Sequence, residues 1–74
     1  MNIEQLKIKL VKHGNIEIIK EGFVFTLLMT GPEMSKWNVV ADIQKMVLEY
    51  ASKKYPFIEA MRNTENYFCM ILKP

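Results

Sequence analysis

The punctuation of this chain limits its fold more than any other feature. Breakers fall at Gly14, Gly22, Gly31-Pro32, Tyr55-Pro56 and Asn63-Thr64-Glu65-Asn66. Between them the same order occurs twice: a helix-like stretch, then two short apolar runs. Residues 2–29 make the first unit and residues 32–73 the second. Ile16-Glu17-Ile18-Ile19-Lys20 is echoed by Ile58-Glu59-Ala60-Met61-Arg62, forty-two residues later. The pattern predicts an α+β chain of order αββαββ, with an αββ pseudo-repeat.

The first stretch reads two ways. Leu6-Lys7-Ile8-Lys9-Leu10 alternates as a strand does. Against that, Ile3, Leu6 and Leu10 share a helical stripe, Asn2 and Gln5 are spaced as a capping box, and Gly14 stands where a helix stops. Three signals outweigh one, so residues 2–13 are expected to be helical, with Ile8 turned toward solvent or a partner. Asn15–Lys20 and Phe23–Met29 read as strands about a Glu21-Gly22 turn. The clearest helix start is Thr30-Gly31-Pro32-Glu33, a capping-box spacing with Pro in the first turn. That helix is expected to reach Lys54, about 33 Å at ~1.5 Å per residue, before Tyr55-Pro56 ends it. Phe57–Arg62 and Tyr67–Lys73 are the last two strands.

Strand character suggests the sheet order. The charged first and third runs, with Glu17 and Lys20 and with Glu59 and Arg62, suit edges. The second and fourth are apolar on both faces and suit the centre. The order is then 1-2-4-3, with all neighbours antiparallel and both helices on one face.

At 74 residues the chain is one small domain, of a size whose own core is marginal without disulfides, metal, close packing or self-association. Cys69 is its single cysteine, so no internal disulfide can form. His13 and Cys69 are the only soft ligands, too few for structural zinc. No nucleophile–base pair or phosphate-cradling glycine loop is present, since Gly14, Gly22 and Gly31 are isolated. No cofactor, metal or small-molecule substrate is expected, and the chain reads as non-enzymatic. His13 reads as a surface cation near a helix C-terminus, and Cys69 as a small buried thiol. Asp42, Lys45 and Glu49 read as a salt-bridged surface. Met29, Met46, Met61 and Met70 read as core filler.

No run approaches a membrane span. The start, MNIEQLKIK, lacks the apolar core of a signal peptide. A cytoplasmic setting is expected, and the Lys, Glu, Ile and Asn bias suggests a bacterial or phage accessory protein.

The second helix carries the strongest hint of function. Its polar residues fill an arc of about 100°, while its apolar residues cover about 220°, and a helix on one sheet needs little more than ~100°. Trp37 and Leu48 lie on the surplus, with Gln44 between them. One sheet face is also left without helices, lined either by Phe23, Phe25, Leu27 and Met29 or by Val24, Thr26 and Leu28, to which the last strand adds either Tyr67, Cys69 and Ile71 or Phe68, Met70 and Leu72. The expected function is therefore interaction, through a homodimer or a protein partner, with Trp37, Gln44, Leu48, Phe23 and Phe25 as candidate interface residues. The alternative is a nucleic-acid-binding accessory domain that uses scattered lysines and an aromatic sheet face. It is not favoured, because the lysines are scattered among acids and the net charge is only +2.

Overall fold

A computed structural model describes residues 1–74. The chain forms helix α1 (Ile3–Val11), strands β1 (Asn15–Glu21) and β2 (Val24–Thr30), a 3-10 turn (Pro32–Ser35), helix α2 (Trp37–Ala51), and strands β3 (Phe57–Thr64) and β4 (Tyr67–Lys73). The four strands make one antiparallel sheet in the order β1-β2-β4-β3. This is the αββαββ arrangement and strand order that the sequence predicts.

Residues 3–11 are helical, as the capping signals require. The Gln5 backbone N–H donates to Asn2 Oδ1 and the Asn2 backbone N–H donates to Gln5 Oε1, both at 2.9 Å. Two N–H groups that the helix cannot satisfy internally are thereby paired. Leu6 and Leu10 are fully buried, while Ile8 is exposed.

The first hairpin departs from expectation by one residue. Its turn is Gly22-Phe23, not Glu21-Gly22, and Gly22 has φ 59°. Positive φ at the first central position suits the two-residue turn that matches strand twist, and glycine takes it without strain. Phe23 consequently sits in the turn, beyond the end of the sheet.

The second departure is at Thr30–Glu33. The expected helix start is instead a 3-10 turn whose first residues have no side-chain cap. Thr30 belongs to β2, and the Glu33 carboxylate lies 3.2 Å from His13 Nδ1 instead of folding back as a cap. Lys36 is extended, at φ −93° and ψ 107°, and separates the turn from α2. The helix thus has 15 residues, a length of about 22 Å. This break sets Met34 into the core, fully buried. The turn that carries it is held by Asn63, whose amide Nδ2 donates to the Met34 carbonyl at 3.0 Å.

The end of α1 meets the end of β2 through two glycines. A Cβ on Gly14 would collide with the Thr30 carbonyl, and Gly31, at φ 147°, packs against Gly14. With the His13–Glu33 contact beside them, these residues attach the helical layer to one end of the sheet. His13 is half-buried, with Nδ1 3.2 Å from Glu33, where a surface position beside the helix end was expected.

The core lies between the helices and one face of the sheet. Phe25, Leu27 and Met29 from β2 and Phe68, Met70 and Leu72 from β4 meet Leu6, Leu10, Val40, Ile43 and Val47. Phe25 packs its ring against Tyr50 and Tyr55, with centroids 5.7 and 5.4 Å away. Strand β3 lies outside this cover, and every residue in it is exposed. Met61, expected in the core, is therefore 47% exposed. The expected ion pairs of Asp42, Lys45 and Glu49 do not form; the pairs present are His13–Glu33 and Lys73–Glu59.

Candidate functional site

Cross-strand register shows what the helix-free face carries. Side chains alternate along a strand, so burial of Phe25, Leu27 and Met29 sends Val24, Thr26, Leu28 and Thr30 to the other side. Burial of Phe68, Met70 and Leu72 likewise sends out Tyr67, Cys69 and Ile71. The pairing aligns these residues in transverse rows. One row reads Asn15, Thr30, Tyr67, Thr64; the next reads Glu17, Leu28, Cys69, Arg62; the third reads Ile19, Thr26, Ile71, Ala60. At the far end Glu21 pairs with Val24, and Lys73 pairs with Phe57.

The face is apolar at its centre and charged at its edges. Val24, Leu28, Cys69 and Ile71 are half-buried, flanked by their neighbours on the same face, with no helix over them. β1 contributes Glu17 and Glu21 at one edge. Arg62 and Lys73 stand on the other side of the face, where Lys73 Nζ is 3.6 Å from Glu59. Glu17 and Arg62 are both exposed and take part in neither of the chain's ion pairs. Tyr67 sits above Cys69, and the thiol, together with partial desolvation, raises the phenol above its ordinary pKa while nearby Arg62 opposes the shift.

The five candidate residues are divided by the structure. Phe25 is a correction: it is 0% exposed and lies under the helices, so it is a core residue. Phe23 is 80% exposed, but at the hairpin tip, and shares no face with Phe25. On α2, Gln44 and Leu48 border one shallow depression with Ala41 and Lys45. Leu48 rests partly on the core. Trp37 continues this stripe toward the N-terminus of the helix and is 80% exposed. Tyr50, about 160° round the helix from Leu48, points to β1, where its hydroxyl accepts from Lys20 Nζ at 3.2 Å. The Trp37–Leu48 stripe thus lies on the flank of α2 that faces away from β1.

In the sequence, the residues of the open face form only one of two alternative series along β2 and β4. Alternation within β2 could not say which series the helices cover. Arg62 and Glu17 read as edge charges, and nothing in their spacing shows that they share a row. For stacking nucleic-acid bases the open face offers Tyr67 and, at a corner, Phe57; Phe25 and Phe68 are both under the helices.

No three His, Cys, Asp or Glu side chains gather into a set that could hold a metal, and no helix is long and apolar enough to cross a membrane. Comparison with known proteins finds no matching family model, no matching curated protein and no matching solved structure.

Proposed function

We propose that this chain is a non-enzymatic interaction protein that self-associates through the open face of its sheet. The observation that supports this is the uncovered centre of that face: Val24, Leu28, Cys69 and Ile71 on the two middle strands, with no second layer above them. Apolar surface gains free energy by leaving water, at about 25 cal/mol per Å². A continuous apolar patch on a small domain marks a contact surface more often than scattered residues such as Ile8 or Phe23 do. The surplus apolar arc of α2 supports the same class of function less strongly, because much of it is spent on the core.

Cys69 supplies a built-in probe, being the single thiol and standing at the centre of the face. Its alkylation rate should fall as chain concentration rises, in step with the appearance of a dimer in sedimentation velocity. Leu28→Asp should remain folded by circular dichroism, sediment as a monomer and alkylate at a rate independent of concentration. A dimer in which Cys69 stays fully reactive would place the contact elsewhere and end this reading.

A further inference from the structure

We infer that the occupant of the open face is a second copy related by a twofold axis that runs along the strands, with Glu17 of each copy paired to Arg62 of the other. The inference rests on the self-association reading and specifies its geometry. Two sheets packed face to face by a twofold have two simple choices of axis. An axis in the interface and parallel to the strands exchanges left for right, so β1 of one copy lies over β3 of the other. An axis perpendicular to the strands lays β1 on β1 and β3 on β3.

The charges separate these choices. Glu17, Leu28, Cys69 and Arg62 lie in one transverse row, with the acid at one edge and the base at the other. The axis along the strands maps this row onto its own copy reversed. Glu17 then meets Arg62, Leu28 meets Cys69, and both contacts occur twice, as twofold symmetry requires. The perpendicular axis sets the acidic edge of β1, with Glu17 and Glu21, against itself and leaves neither acid opposite Arg62. Sheets stack at about 10 Å and at about 30° to one another. Both values leave a Glu and an Arg within reach across the gap. Neither residue has an ion-pair partner within its own chain.

The size of the face sets the strength. Four strands at ~4.8 Å and seven residues at ~3.3 Å give a patch of roughly 19 by 23 Å. Two such patches approach the ~1,000 Å² at which specific interfaces begin and fall well short of the ~2,000 Å² or more of obligate dimers. The dimer is thus a weak and reversible one, in which edge charges weigh on orientation.

The test is a charge exchange read by sedimentation equilibrium and Cys69 protection. E17R and R62E should each weaken dimerisation by roughly tenfold, because each places two like-charge contacts across the axis. The double variant E17R/R62E should recover wild-type association, and so should an equimolar mixture of the two single variants. Circular dichroism checks that each variant is folded; both positions are exposed on edge strands. If the wild type dimerises with Cys69 protected but the single variants associate as it does, or the double variant does not recover, the geometry is wrong while face-mediated association stands. If the wild type leaves Cys69 unprotected at every concentration, the association reading itself fails, and the geometry with it.

Discussion

The two faces of this sheet are built from the same strands, yet they carry different chemistry. The covered face presents Phe25, Leu27, Met29, Phe68, Met70 and Leu72, long or aromatic side chains that reach up to a helical layer. The open face presents Val24, Thr26, Leu28, Thr30, Tyr67, Cys69 and Ile71, of which four are β-branched and four carry a hydroxyl or thiol. Both read as hydrophobic in sequence. The first fills the space under the helices, and the second mixes apolar side chains with hydroxyls and a thiol. A strand that is apolar on both sides therefore does not imply two equivalent cores.

The sharpest way to break this comparison is to remove one large side chain from the covered face. Phe68→Ala should cost about 3–5 kcal/mol, because the emptied volume is enclosed by helix and sheet and cannot collapse. For a domain of this length total stability is on the order of 4–11 kcal/mol, so the variant should be largely unfolded or have a much lower urea midpoint. Retention of wild-type stability would mean that the helical layer is not seated on this face.

A smaller effect is expected where that layer is anchored. Gly14→Ala places a methyl against the Thr30 carbonyl, and neither backbone can move without separating α1 from β2. A loss of about 1–3 kcal/mol is expected, as for other overpacked sites, measured by urea unfolding of a dilute, monomeric sample. Gly22→Ala makes a useful contrast. A Cβ there meets nothing, and the cost comes from positive φ alone, about 1 kcal/mol.

Much of this was legible in the sequence, for reasons that can be named. Capping of α1 rests on two side chains three residues apart, so local spacing sufficed. Strand order followed from charge on two runs and its absence on two others. The face assignment was not legible, because parity is fixed by what packs above the strand. The pseudo-repeat shows the difficulty in small compass. Phe25, Leu27 and Met29 recur as Phe68, Met70 and Leu72 at an interval of forty-three residues, while Ile16 and Ile58 recur at forty-two. A bulge between Ile58 and Ala60 absorbs the extra residue. The echo in the edge strands thus carried the wrong interval for the central ones, and a one-residue slip reverses every side chain. The break before α2 was hidden for a similar reason. Thr30, Pro32 and Glu33 satisfy the helix-start pattern, but Glu33 is taken by His13, which lies twenty residues earlier.

The smallest effect should come from the residue that looks most conspicuous in the sequence. Trp37 begins α2 with 80% of its surface in water, contributes nothing to the core cluster and stands on the helical side, away from the open face. Trp37→Ser should shift stability by no more than about 0.5 kcal/mol, the range typical of exposed sites. It should also leave Cys69 protection unchanged at every chain concentration. Its fluorescence makes the point testable in the wild type as well. An exposed indole should show the same emission maximum in dilute and concentrated samples if association uses the opposite side of the sheet. A blue shift that follows dimer formation would move the contact onto the Trp37–Leu48 stripe. The two faces would then exchange roles: the open one would be an ordinary solvated surface, and the excess arc of α2 the place where the second copy binds.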